Sequence, residues 1–260
     1  MEIIDFHAHI YPEKIADKAT QATGDFYNIS PACTGTAESL LSEGKKAGIS
    51  KYVILPVATK PEQVKSINRF ILDEVSAHHE FYGFGTLHPS CENILDETDN
   101  IIKSGLRGIK LHPDIQRFYA DDGRLFEVFD FIGEKIPVLI HCGDRRFDYS
   151  RPERIKNIIN NFPHLRLIAA HLGGWSLFEE GFDMLKNTEC FFDISSTMMF
   201  LPPEQVKKYI RGYGSERVLF GTDFPLWSPE KEAASLQRLG LDGYEFERVA
   251  YKNALKILNA

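Results

Sequence analysis

Eight short apolar runs recur along the chain, and each is separated from the next by a stretch with helical apolar spacing. The runs are 3–10, 52–57, 82–88, 108–112, 138–142, 165–171, 191–196 and 218–223. Helical spacing falls at 37–47, 61–77, 93–103, 123–133, 152–161, 177–186 and 203–213, and the tail 229–258 holds one or two further helices. Such strict alternation predicts parallel βαβ units. Two architectures satisfy it. An open doubly wound sheet would carry a Gly-rich phosphate turn after its first strand, where this chain has His7-Ala8-His9. A closed (β/α)8 TIM barrel fits both the count and the length of 260 residues better. With no composition break or linker, residues 1–260 are expected to form one α/β domain. The longest irregular piece, 11–36, follows the first run and is predicted to hold a short helix over 12–20. In a barrel it would lie over the catalytic rim, either as a lid or as a surface excursion.

The polar residues have a pattern of their own. Six of the nine histidines, namely His7, His9, His88, His112, His141 and His171, lie at or near the C-terminal end of a predicted strand. In an eightfold barrel all these ends converge on the rim where catalysis occurs. In the first run, simple alternation places Ile4, Phe6, Ala8 and Ile10 on one face and Asp5, His7 and His9 on the other. Imidazoles aimed at a common interior point suit a divalent metal. Asp223 closes an apolar strand, where a carboxylate must be paired, hydrogen-bonded or metal-bound. Lys110 shares a strand face with His112, and an interior lysine is costly unless it is neutralised or modified.

Composition narrows the classes. A net charge of −7 argues against nucleic acid and against a basic membrane surface. No apolar stretch approaches the ~18 residues of a membrane span. Cys33, Cys91, Cys142 and Cys190 form no Cys-x-x-Cys pair, so neither a thiolate metal site nor a redox motif is expected. The opening Met-Glu-Ile-Ile-Asp runs directly into a strand, and a cytoplasmic setting is expected.

His7-x-His9, Lys110, His141, His171 and Asp223, in this order on successive strands, resemble the amidohydrolase superfamily. Gly-Ile-Lys-Leu-His-Pro, Ala-His-Leu-Gly-Gly-Trp and Gly-Thr-Asp-Phe-Pro resemble its amidohydrolase-related branch. That branch includes aminocarboxymuconate semialdehyde decarboxylase, resorcylate decarboxylases and lactone hydrolases. The resemblance implies a metal held by His7, His9, His141 and Asp223. His171 is then a second-metal ligand or a free histidine that polarises the substrate. Lys110 is either carboxylated and bridging two ions, or an ammonium facing an anionic substrate. One ion is favoured over two. Zinc suits the ligand set, with manganese or iron as alternatives.

The expected activity is hydrolysis of a small amide, ester or lactone by a metal-activated water, with Asp223 and His171 in catalysis. The alternative is non-oxidative decarboxylation of a small carboxylic acid. Lys110, His112 and Arg145 are the expected substrate contacts, with Arg146, His88 and Trp175 behind them. Competing readings are a metal-binding barrel without turnover and a metal-free phosphate-binding barrel using Ser195-Ser196-Thr197. The expected partner is a small molecule, without nucleic acid or membrane; a homo-oligomer is left open.

Overall fold

The structure is a computed structural model and describes residues 2–259. Nine strands occur among them: β1 (Ile4–Ala8), β2 (Lys51–Ile54), β3 (Phe81–Gly83), β4 (Gly85–Thr86), β5 (Ile109–Leu111), β6 (Val138–Ile140), β7 (Leu167–Ala169), β8 (Phe191–Asp193) and β9 (Val218–Leu219). All pair in parallel, in the orders β1-β2-β3 and β4-β5-β6-β7-β8-β9. The two ribbons are one. Only Phe84 separates β3 from β4, and its N–H still bonds Ile54 O at 3.0 Å. The other seam closes through Phe6 N to Phe220 O (2.8 Å), Asp223 N to His7 O (2.7 Å) and His9 N to Phe224 O (2.8 Å). With β3 and β4 counted as one stave, the result is the expected eightfold barrel.

Strand alternation sorts the core into two layers. Val138 and Ile140 of β6 face the surrounding helices, together with Ile109 and Leu111 of β5. Leu139, Val53, Phe84, Ile168 and Leu219 fill the barrel floor with Ile4 and Phe6. Ala254, Ile257 and Leu258 of the last helix, Asn253–Leu258, join this floor cluster.

The strands are shorter than the apolar runs, because each run continues past its last ladder bond into a rim loop. Among the helices, α1 (Glu13–Tyr27) is longer than the predicted 12–20, and it is followed by α2 (Ala37–Lys46) and α3 (Val64–Ala77). The tail divides into Pro229–Arg238, Gly243–Glu247, a π turn at Arg248–Lys252 and Asn253–Leu258. No helix among the described residues is long and apolar enough to cross a membrane.

Candidate metal centre

The first strand departs from simple alternation where it matters most. Asp5 pairs with Tyr52 and Ala8 with Ile54, so three steps on β1 match two on β2. One extra residue is a β-bulge, which re-aims the side chains beyond it. Ile4 and Phe6 therefore face the interior floor, while Ala8 and Ile10 pack in the outer layer. His7 and His9 now line the interior cavity. Asp5 does not join them, contrary to the alternation argument. Its carboxylate accepts from His7 N (3.0 Å), Thr222 N (2.9 Å) and Thr222 Oγ1 (2.6 Å), tying β1 to the chain beyond β9. Burial raises its pKa to about 7 despite these bonds. Gly221 makes room for the bulge, because a Cβ there would lie 2.7 Å from His7 Cβ.

Hydrogen bonds to groups that can only accept set the imidazole tautomers. His9 Nδ1 lies 2.5 Å from Leu55 O, a carbonyl, so Nδ1 carries the proton. His7 Nδ1 donates to Asp193 Oδ2 at 2.9 Å, and His171 Nδ1 to Ser195 O at 2.9 Å. In the neutral rings the Nε2 atoms of His7, His9 and His171 are then bare. His9 Nε2 and His7 Nε2 lie 3.3 and 3.6 Å from Asp223 Oδ1. His171 Nε2 lies 3.0 Å from His141 Nδ1. Two ligands on one ion with bonds of about 2.0–2.2 Å are roughly 3–3.5 Å apart, so these spacings match neighbouring corners of a metal's coordination shell.

Burial pushes the His7 pKa down to about 3, with the Lys110 ammonium adding to the effect. Burial also holds His112 and His141 well below their usual value and lowers His171. Neutral imidazoles are what a cation requires. His7, His9 and Asp223 form one group whose ligand atoms lie within 4.8 Å of one another. His141 falls in an adjoining group with His112 and Asp114, and its buried Nε2 lacks a hydrogen bond. The donor set fits a divalent ion.

Lys110 is fully buried, and its Nζ lies 3.2 Å from His7 Nε2. Burial lowers its pKa to about 8, with Asp193 and Asp223 opposing the shift. His171, Asp223 and Leu172 adopt left-handed backbone at φ +57°, +59° and +52°. Such φ values are uncommon for residues other than glycine and cluster at functional sites.

A cavity of about 530 Å³ opens above these groups. Its lining includes His7, His9, Lys110, His112, His141, His171 and Asp223 at the inner end. α1 covers it as a lid, with Tyr27 OH 2.6 Å from His112 Nε2. The His112 ring stacks on His141 at 4.0 Å.

The sequence profile of the amidohydrolase family matches residues 4–260. The chain belongs to that family. Among curated proteins, none matches it. Solved structures with the same barrel include an uncharacterised TIM-barrel protein from Bordetella bronchiseptica, with TM-score 0.83 and 19% identity over 100% of this chain and 99% of that one. They also include 5-carboxyvanillate decarboxylase from Sphingomonas paucimobilis, with TM-score 0.76 and 14% identity over 99% of each chain. A third is dihydroxybenzoic acid decarboxylase from a Polaromonas species, solved with manganese and the inhibitor 2-nitroresorcinol. It has TM-score 0.75 and 13% identity over 99% of this chain and 97% of that one.

Some expected substrate contacts lie elsewhere in this amidohydrolase. Arg145 is absent from the cavity lining, because its guanidinium bonds Ser176 O at 2.5 Å. Arg146 closes on Asp144 at 2.6 Å and donates to Phe26 O at 2.5 Å, which pins the end of α1. Trp175 packs beside Tyr27 at 4.9 Å and does not line the cavity. His88 also lies outside the lining, with its Nδ1 accepting from Ser90 N at 3.2 Å. The supposed phosphate-turn hydroxyls are engaged internally. Ser195 Oγ donates to Asp193, Ser196 Oγ bonds Asp223 Oδ2 at 2.5 Å, and Thr197 Oγ1 bonds Ile194 O at 2.6 Å.

Sequence reasoning missed Asp193, Asp114 and Tyr27. Asp193 accepts from His7, from Ser195 and from His171 N (3.2 Å). Asp114 lies 3.4 Å from His141 Nε2. Asp193 closes β8 as the histidines close theirs, so the same strand-end argument would have found it. Tyr27 comes from a helix whose length the sequence understates.

Proposed function

We propose that this amidohydrolase is a metal-dependent, non-oxidative decarboxylase of a small aromatic carboxylic acid. The observation that carries this reading is the buried lysine, Lys110, beside the rim histidines at the inner end of a largely apolar cavity. An acid entering there meets a cation and leaves its hydrocarbon body against apolar walls. The solved neighbour with manganese and 2-nitroresorcinol supports both the metal and the aromatic ligand.

His7, His9, His141 and Asp223 are the proposed ligands of one divalent ion, manganese or zinc, and His171 borders it. When bound, the ion supplies positive charge that holds the reacting acid and stabilises charge developing on it. Loss of carbon dioxide leaves the electron pair of the broken C–C bond on the substrate carbon, which then takes up one proton. Asp223 and His171 are the groups proposed to hold and deliver that proton. His171 Nε2 is bare in the neutral ring, so it must gain a proton before it can donate one. Lys110 orients the carboxylate as an ammonium, and His112 contacts the substrate.

Hydrolysis of an amide, ester or lactone is the second reading, favoured by the family's chemistry. The test is carbon dioxide release from hydroxybenzoates by manganese- and zinc-loaded protein, run beside a lactone and amide panel. Turnover of lactones alone would replace the proposed reaction with hydrolysis. Lys110→Ala should raise KM and leave metal content unchanged. Metal loss on that substitution would make Lys110 a carboxylated ligand instead.

A further inference from the structure

Apart from the histidines, the charged residues lining the cavity are one cation, Lys110, and one anion, Asp223. No arginine lines it, and the two that follow β6 towards the rim are committed elsewhere, Arg145 to Ser176 O and Arg146 to Asp144. The lining imidazoles, His7, His9, His112, His141 and His171, all stand with Lys110 and Asp223 at the inner end. Beyond the inner end the walls are hydrocarbon: Ala19, Ala22 and Phe26 from α1, Ile67 and Phe70 from α3, and Leu226. Near the mouth stand neutral polar groups, Thr59, Gln63 and Ser66. Thr59 Oγ1 donates to Gln63 Oε1 at 2.9 Å, and Ser66 Oγ donates to Gln63 O at 2.9 Å, so these groups are engaged with one another, and no lysine or arginine joins them in the lining.

We infer that the substrate carries a single acid group, which enters first, on an otherwise uncharged body whose outer end is at most hydroxylated. This rests on the decarboxylase reading and narrows it. A second carboxylate would be drawn against Ala19, Ile67 and Phe70 with no cation among the lining residues there, and an ionised group desolvated without a partner is strongly disfavoured. Discrimination of this kind comes from the mismatch offered to the wrong ligand.

Calorimetric binding to the manganese-loaded protein tests it. The probes are 2-hydroxybenzoate, 4-hydroxybenzene-1,3-dicarboxylate and 2-hydroxybenzene-1,4-dicarboxylate. The diacids carry their second carboxylate away from the metal-facing acid and hydroxyl. Both should bind at least tenfold more weakly than 2-hydroxybenzoate. Ala22→Arg, at the exposed lip of α1 where it lines the cavity, should raise the affinity for at least one diacid relative to that for the monoacid. Equal or tighter diacid binding to the unaltered protein overturns the inference, and decarboxylation of a diacid would do so while leaving the decarboxylase reading standing. Failure of all three probes to bind overturns both.

Discussion

The two ends of the barrel interior share the same staves and are equally buried, yet opposite in chemistry. At the floor, Ile4, Phe6, Leu139, Ile168 and Leu219 are sealed by Ile257 and Leu258. At the rim, one to three residues further along the same chain segments, His7, His141 and His171 are no more than 1% exposed, as are Lys110 and Asp193. Burial therefore does not separate structure from function here. The difference lies in what satisfies each side chain. Floor residues need only shape, whereas rim residues need hydrogen-bond partners or a cation to offset lost hydration. Damage at the floor should therefore appear as lost stability, and damage at the rim as lost metal.

The largest expected effect breaks or confirms that division outright. His7→Ala with His9→Ala should abolish metal retention, measured as metal atoms per chain by elemental analysis. Unchanged metal content would move the centre away from this rim. One residue before His7, Phe6→Ala should cost about 3–5 kcal/mol of stability in urea unfolding, as a truncated buried aromatic does. Metal content per folded chain should stay as it was. If Phe6→Ala also stripped the metal, the two ends would be one unit.

Asp193 sharpens the comparison, because it belongs to the rim without being a proposed ligand. It fixes the His7 tautomer and leaves Nε2 bare. Loss of such a carboxylate partner typically weakens metal binding 10–100-fold. Asp193→Asn should show that loss in a chelator competition, while the metal-free protein loses no more than the about 1–3 kcal/mol of an unmade buried hydrogen bond. A stability loss with intact affinity would make Asp193 a floor-type residue placed near the rim.

The barrel was legible because its signal is repeated eight times, and stretches such as 138–142 and 167–170 alternate cleanly between the two core layers. His7, His9, His141, His171, Lys110 and Asp223 were legible because strand ends converge, and all six line the cavity. Two kinds of information were not local. The bulge between Asp5 and Ala8 depends on bonds from Thr222, more than two hundred residues away, so alternation misplaced Asp5. Arg145 looked free to bind substrate because its competing acceptor, Ser176 O, arrives from the loop after β7. Tyr27 reaches His112 only because α1 runs on past 20, beyond the reach of its own apolar pattern.

The smallest expected effect lies in neither end but behind the rim. Glu232, in Pro229–Arg238, is 1% exposed, and its Oε2 lacks a hydrogen bond. Burial raises its pKa from 4.5 to about 8, with Asp223 and Asp5 adding repulsion. The sign follows from where the proton sits. Below about pH 4.5 both folded and unfolded chains hold it, so it contributes no difference. Between 4.5 and 8 the unfolded chain releases the proton and the folded chain keeps it, so stability falls as pH rises. Above that range the folded protein carries the full cost of a buried charge. Glu232→Gln removes this dependence, but its amide also lacks a partner, which takes back about 1–3 kcal/mol. The variant should match the parent or fall slightly below it near pH 5, and exceed it by on the order of 1–2 kcal/mol above pH 8. Parallel urea unfolding curves across that range would check the crossing. A pH-independent difference would show that Glu232 stays ionised in the fold, with its charge solvated by a route other than a protein hydrogen bond.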